Sequence, residues 1–229
     1  MGNAETMKQS KIKSVIFDFD GLMVDSERVS ELAWDRVAKE YGIVIDNRYY
    51  SRVRGMNNEG ARSIFREMFG DKLSYDEVKA KKHEYFAEDL EKNGLDKKKG
   101  LDELLDYIDE NKISKAIASG STVTYVRDCS ARAGIRSHFD IVIGGDMVNK
   151  CKPDPEVFEM AAKQLGSEPE NCLVLEDSIN GAKAALNGGF QIIIVPDSVE
   201  PPAELIQQVN GVFDNLIDVI GYIRQQNRS

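Results

Sequence analysis

Apolar residues along the chain form two alternating patterns, short continuous runs and longer stretches with helical spacing. The continuous runs predict buried strands at residues 14–18, 115–119, 141–144, 172–176 and 191–195. Between several of these runs, apolar residues recur every three or four positions, as in residues 101–108 and 157–165. Repeated strand, helix, strand order with continuously apolar strands is typical of a parallel sheet covered by helices on both faces. We therefore predict an α/β fold, a doubly wound parallel sheet with a Rossmann-like core.

One long stretch interrupts this order. Between about residues 28 and 96 the apolar positions have helical spacing, and the pattern contains no convincing strand. An all-helical block between the first strand and the second predicts an inserted cap domain. We therefore expect a polar amino-terminal arm at 1–11, an α/β catalytic core at 12–27 and 97–229, and a helical cap at 28–96.

Charge and composition argue against two classes of partner. The net charge of -9 repels both a nucleic-acid backbone and an anionic membrane surface. No apolar run approaches the roughly 20 residues of a membrane-spanning helix. The three cysteines are odd in number and widely spaced, which is typical of reduced thiols, and the chain begins without the apolar segment of a secretion signal. We expect a cytoplasmic protein with neither nucleic acid nor a membrane as its partner.

Polar residues that could bind a ligand or take part in catalysis follow the predicted strands or precede a helix. They are Asp18 and Asp20 after the first strand, Ser119 and Gly120 after the second, Lys152 before the helix near residue 155, and Glu176 and Asp177 after the fourth. Each cluster alone also fits an ordinary turn, a helix cap or a solvated charge. However, ligands of parallel sheets gather at the carboxyl ends of the strands. Together the clusters predict one site with several carboxylates, a lysine and a hydroxyl.

The chemistry of such a site indicates a metal ion and a phosphate. Carboxylates that converge on one point repel each other unless a cation lies between them. Oxygen ligands favour a hard cation, and a few carboxylates with water favour Mg²⁺. A lysine and a serine beside that cation would bind an anion. A phosphate group satisfies both halves of the site, so we expect Mg²⁺ as cofactor and a small phosphorylated metabolite as partner.

Four segments in order, DFDGLMVDSE, IASGST, KPDP and LEDSINGAKAAL, resemble the four motifs of the haloacid dehalogenase superfamily. The likeness is to its phosphatase and β-phosphoglucomutase-like branch, which has a helical cap after the first motif. The resemblance implies that Asp18 is the nucleophile and forms an aspartyl-phosphate. It also implies that Asp20 protonates the leaving oxygen and then activates the water that hydrolyses this intermediate.

The resemblance further implies a set of metal ligands. These are the carboxylate of Asp18, the main-chain carbonyl of Asp20 and the carboxylate of Asp177. Glu176 is implied either as a further ligand or as a partner behind the ligands.

The remaining motif residues are implied to bind the transferred phosphoryl group. Ser119 would contribute its hydroxyl, Gly120 its amide and Lys152 its charge. Lys150 competes with Lys152 for this role, but only Lys152 matches the Lys-Pro position of the third motif.

The resemblance favours a Mg²⁺-dependent phosphatase that hydrolyses a sugar phosphate or a similar monophosphate. A β-phosphoglucomutase-like mutase is the alternative, and a non-enzymatic phospho-acceptor signalling domain is a third hypothesis. Such mutases typically carry a histidine and an arginine where spacing places Ser30 and Asn58 here, so we expect inorganic phosphate as the product. Candidate substrate residues on the cap are Arg54, Gly55 and Asn58.

Several other polar residues have simpler interpretations. His83 and His138 have no evident acidic partner in the sequence, so we expect surface or structural roles for both. Asp25 and Glu27 follow the turn into the cap and either cap its first helix or face the substrate; we favour the capping role. The lysine run at 97–99 is expected to form a solvated face of a connection between the domains.

Overall fold

The structure of the protein is a computed structural model, which describes residues 10–53, 58–197 and 199–228. The chain divides into two compact units. The helical unit is Asp25–Asp96, and the core unit consists of the described parts of Met1–Val24 and Lys97–Ser229. The helical unit is therefore an insertion between two segments of the core unit.

The described residues form strands and helices in an order that alternates across the core unit. In chain order the elements are β1 (Ser14–Phe17), α1 (Ser26–Tyr41), α2 (Asn47–Val53), α3 (Asn58–Phe69), α4 (Tyr75–Asn93), α5 (Leu101–Glu110), β2 (Ser114–Ala118), α6 (Val123–Arg132), β3 (Ile141–Ile143), α7 (Glu156–Leu165), β4 (Cys172–Glu176), α8 (Ile179–Asn187), β5 (Gln191–Ile194), α9 (Ala203–Ile206), β6 (Gly211–Val212) and α10 (Leu216–Arg228).

In the described residues, the core unit contains one six-stranded sheet with the order β3-β2-β1-β4-β5-β6. All neighbouring strands are parallel. Strand β1 is central, and its residue Ser14 lies opposite Ser114 of β2 and Cys172 of β4. The chain thus winds in one direction from β1 to β3 and in the other from β4 to β6, which confirms the doubly wound α/β fold predicted from the sequence.

The two central strands, β1 and β4, have the continuous apolar runs by which the sequence predicts them. Every residue of β1 and β4 is buried, because helices cover both faces of the sheet. One face packs on Phe158 of α7 and on Ala182 and Ala185 of α8. The ring of Phe17 makes an edge contact with Phe139 at a centroid distance of 5.6 Å.

The helical unit has an apolar core of its own. Tyr49, Phe65, Phe69 and Tyr75 contact one another through their rings, with centroid distances from 4.7 to 6.2 Å. Helix α1 begins at Ser26, ahead of the first cap residue expected from the sequence. Its start is determined by the residue before it, Asp25.

Asp25 caps α1, as predicted. Its Oδ1 accepts a hydrogen bond from the backbone N–H of Arg28 at 3.3 Å. Its own N–H donates to the carbonyl of Asp96 at 2.9 Å, so the first and last residues of the helical unit are joined. None of the helices formed by the described residues is long and apolar enough to span a bilayer.

Candidate active site

The chain turns sharply after β1, just beyond two acidic residues, Asp18 and Asp20. Phe19, between Asp18 and Asp20, is fully buried. Because successive side chains of an extended chain point to opposite sides, Asp18 and Asp20 share the side away from Phe19. The turn closes where Gly21 donates its N–H to the carbonyl of Val24 at 3.0 Å.

Gly21 is required for this turn for two reasons. Its φ is +82°, a left-handed conformation that glycine adopts without strain. A Cβ there would also lie 2.4 Å from Oδ2 of Asp177, far inside contact distance. Any larger residue would therefore displace the carboxylate of Asp177 from the site.

Lys152 links the first and fourth motifs. Its Nζ lies 2.5 Å from Oδ1 of Asp18 and 2.5 Å from Oε1 of Glu176. Only 12% of its side chain is exposed. Burial lowers the pKa of Lys152, but the charges of Asp18 and Glu176 outweigh burial and raise it above the usual value, so the side chain stays cationic. Lys150, in contrast, has a side chain that is 71% exposed and pairs with Asp154, so Lys152 is the lysine that enters the cluster.

Both carboxylate oxygens of Glu176 have hydrogen-bond partners. Lys152 donates to Oε1, and Ser178 donates to Oε2 through its N–H and through its hydroxyl, each at 2.8 Å. Helix α8 approaches so closely that a Cβ at Gly181 would lie 1.7 Å from Oε1. This arrangement orients Glu176 toward Lys152.

Two hydroxyl groups that the sequence did not single out hold Asp20. Ser121 donates to Oδ2 at 2.7 Å, and Tyr125 donates to Oδ1 at 3.0 Å. Burial, followed by the charge of Asp20, raises the pKa of Tyr125, so its hydroxyl remains a donor at neutral pH. The available signal was weak: Ser121 is two residues beyond the buried Ser119, and Tyr125 lies one turn before Cys129 on the buried face of α6.

The loop after β2 brings Ser119 and Gly120 to the same edge of the sheet. Ser119 is 1% exposed, and its hydroxyl lies 3.5 Å from Oδ2 of Asp20. The loop after β3 packs against this segment, because a Cβ at Gly145 would lie 2.2 Å from the carbonyl oxygen of Gly120. The predicted motif residues of the core unit therefore lie together, while their roles stay predictions.

The acidic cluster has the chemistry of a site for a hard cation. Asp18, Glu176 and Asp177 each offer a carboxylate oxygen, and these atoms lie within 4.8 Å of one another. Burial raises the pKa of Asp18 to about 7, although Lys152 opposes this shift. Burial and the charge of Glu176 raise the pKa of Asp177 to about 9. Both shifts arise first from burial and then from neighbouring carboxylates, and an all-oxygen donor set of this kind suits a divalent cation.

The sequence of the core and the inserted unit matches one known family. Residues 15–195 match the model of the haloacid dehalogenase-like hydrolases. The chain belongs to this family. It is 30% identical over 186 residues to the phosphorylated carbohydrates phosphatase of Thermotoga maritima, covering 80% of this chain and 84% of the relative. It is 28% identical over 183 residues to the fructose-1-phosphate phosphatase YqaB of Escherichia coli, covering 79% of this chain and 95% of the relative.

A solved structure of the family has the same fold. The family IA hydrolase of Entamoeba histolytica superposes with a TM-score of 0.78 at 22% identity, covering 95% of this chain and all of the other. Because the chain belongs to this hydrolase family and its relatives are named phosphatases, it is a phosphoric monoester hydrolase.

The residues proposed for the substrate lie partly outside the described structure. Arg54 and Gly55 are outside the described residues. Of Asn58 the structure describes only the backbone, at the start of α3.

Two residues with simple interpretations, Lys98 and His138, have acidic partners that the sequence did not show. Lys97 and Lys99 are exposed, whereas Lys98 between them is partly buried and forms an ion pair with Asp197. His138 does have an acidic partner, because its Nδ1 lies 2.8 Å from Oδ2 of Asp109. Both partners are far from these residues in the sequence, so no local pattern could show them.

Proposed function

We propose that this chain is a Mg²⁺-dependent phosphatase that hydrolyses a small phosphorylated carbohydrate through an aspartyl-phosphate on Asp18. The observation that carries the proposal is the position of Lys152, which bridges Asp18 and Glu176 at the carboxyl ends of β1 and β4. The named activities of the Thermotoga maritima and Escherichia coli relatives support a sugar phosphate as substrate.

In the first step, an oxygen of Asp18 attacks phosphorus while the bond between phosphorus and the leaving oxygen breaks. The electron pair of the broken bond stays on the leaving oxygen, which takes a proton from Asp20. Lys152 holds Asp18 in place and offsets the negative charge of the phosphoryl group. The hydroxyl of Ser119 and the amide of Gly120 donate to phosphoryl oxygens.

In the second step, Asp20 is ionised and acts as a base. It takes a proton from a water molecule, whose oxygen attacks phosphorus and breaks the bond to Asp18. Inorganic phosphate leaves, and the two carboxyl groups return to their starting states. The same residue thus serves as acid and then as base, which requires that its carboxyl group stay in one place through both steps.

The metal would be held by the carboxylates of Asp18 and Asp177 and by the carbonyl of Asp20. When bound, Mg²⁺ supplies positive charge to the phosphoryl oxygens and to the clustered carboxylates. We assign Glu176 to the orientation of Lys152, because both of its oxygens already accept hydrogen bonds from Lys152 and Ser178.

The test of this function is a screen for phosphate release from a panel of sugar phosphates, with Asp18→Asn as the key variant. The amide is a poor nucleophile, so we expect turnover to fall to background while circular dichroism shows an intact fold. Asp218→Asn makes the same change on α10 and should keep full activity. Appreciable turnover by pure, folded Asp18→Asn would exclude Asp18 as the nucleophile.

A second assay separates hydrolysis from isomerisation. The enzyme is incubated with β-glucose 1-phosphate and a trace of the corresponding bisphosphate. We expect free phosphate to form faster than glucose 6-phosphate. The opposite ratio would overturn the phosphatase assignment in favour of a mutase.

A further inference from the structure

The carboxyl group of Asp20 is held at both of its oxygens. Ser121 donates to Oδ2 at 2.7 Å, and Tyr125 donates to Oδ1 at 3.0 Å. An aspartate side chain has two rotatable bonds, so one hydrogen bond leaves it free to swing while two contacts on different oxygens restrict both rotations. Asp20 therefore has a defined orientation relative to β2 and α6.

Tyr125 is itself fixed by the start of α6 and by a neighbouring ring. Thr122 caps this helix, and its hydroxyl oxygen accepts a hydrogen bond from the N–H of Tyr125 at 3.4 Å. The ring of Tyr125 makes an edge contact with the buried ring of Phe19, at a centroid distance of 6.4 Å and an angle of 90°. Phe19 lies next to Asp20 in the chain, so the ring and the hydroxyl of Tyr125 contact neighbouring residues of the same turn.

We propose that Tyr125, together with Ser121, is a positioning residue that aligns Asp20 for proton transfer to the leaving oxygen. This inference rests on the proposed function, in which Asp20 is the acid of the first step. Tyr125 itself exchanges no proton with the substrate. Its hydroxyl, with that of Ser121 on the other oxygen, restricts the rotation of the carboxyl group and so holds it in one orientation for the proton transfer.

A positioning role predicts a dependence on the leaving group. A sugar alkoxide is a poor leaving group and needs the proton of Asp20 as the bond to phosphorus breaks. A p-nitrophenolate is a good leaving group and departs without that proton. Misalignment of Asp20 should therefore slow the hydrolysis of the sugar phosphate and leave the rate of hydrolysis of the aryl phosphate almost unchanged. If Tyr125 had only a structural role, its replacement would slow the hydrolysis of both substrates equally.

The experiment compares kcat/KM of Tyr125→Phe and of the unaltered enzyme, because this constant reports the steps through the first bond cleavage. The substrates are p-nitrophenyl phosphate and the best sugar phosphate from the screen. Removing one hydrogen bond to Asp20 should lower kcat/KM for the sugar phosphate about tenfold. The value for the aryl phosphate should stay within about twofold. Phenylalanine keeps the ring contact with Phe19, so the fold should be retained.

Two variants complete the design. Tyr222→Phe removes a hydroxyl that donates to Gln191 at 3.3 Å, and it should change neither constant. Ser121→Ala removes the other donor without changing the ring, and it should show the same selective loss as Tyr125→Phe. It also tests the proposal if Tyr125→Phe does not fold.

An equal loss with both substrates, or no loss with either, would overturn the positioning role. Failure of the unaltered enzyme to hydrolyse any phosphate ester would instead overturn the proposed function itself. The two failures are therefore distinguishable.

Discussion

Gly181 offers a sharp test of how the site is supported. A Cβ at this position would lie 1.7 Å from Oε1 and 1.9 Å from Cδ of Glu176. These distances are far below any real contact, and the atoms belong to a carboxylate that is only 1% exposed. Gly181→Ala must therefore displace Glu176 from Lys152 and Ser178.

The cost can be worked out from the contacts that would be lost. Alanine is a better helix former than glycine by up to about 1 kcal/mol, which favours the variant. Breaking a buried ion pair costs about 3–5 kcal/mol, because one charge is left without its partner. The expected net loss is about 2–4 kcal/mol. For a chain of this size, this lowers the Tm by on the order of 10 °C.

The assay is thermal unfolding followed by circular dichroism, with Gly221→Ala as a matched control. Gly221 lies inside α10, and a Cβ there would meet nothing within 4 Å. The control should therefore gain helix stability and raise the Tm by about 2–4 °C. A Gly181→Ala variant as stable as the control would show that Glu176 moves without cost, and it would refute the account of the support for Lys152.

Three further predictions test other parts of the molecule. Chelation should stop phosphate release and added Mg²⁺ should restore it, with Asp177→Ala needing at least about tenfold more Mg²⁺; full activity after exhaustive chelation would exclude the metal site. An aromatic disulfide reagent should titrate one thiol in the native protein and three after unfolding, because Cys151 is exposed and burial raises the pKa of Cys129 and of Cys172 to about 11; three fast thiols in the native state would contradict this. Phe65→Ala, at the centre of the aromatic core of the helical unit, should lower the free energy of unfolding by about 3–5 kcal/mol in urea titrations, and a loss below about 1 kcal/mol would contradict the packing described.

The sequence predicts best those strands whose side chains are all buried. β1 and β4 are covered on both faces, so their apolar runs are continuous and their ends were predicted within one residue. β6 was missed because it is only Gly211–Val212, and its pairing with β5 uses main-chain groups that need no particular side chain. Helix α2, with the sequence NRYYSRV, lies inside the predicted helical block, but its own apolar pattern is weak because its one buried residue is Tyr49.

The site was predictable where a charge lies next to a strand end and less so elsewhere. Asp18 and Glu176 are conspicuous because burying a carboxylate at the end of an apolar strand costs free energy unless the carboxylate has a partner. Tyr125 is inconspicuous, because tyrosine on a helix usually packs. Its role depends on the direction of α6 relative to the turn after β1, and only the folded chain determines that direction.

Glycines show why the motifs extend beyond the reacting groups. In the sequence, the glycine of DFDG fits a turn, and the glycine of LEDSING fits the start of a helix. In the structure, Gly21 leaves room for the carboxylate of Asp177, and Gly181 leaves room for that of Glu176. Both glycines thus make room for an acidic residue of the fourth motif. Gly21 belongs to the first motif, and Gly181 belongs to the fourth motif itself. The residue types are coupled through space: a side chain at either position would push a carboxylate out of the cluster that Lys152 and the proposed metal hold together.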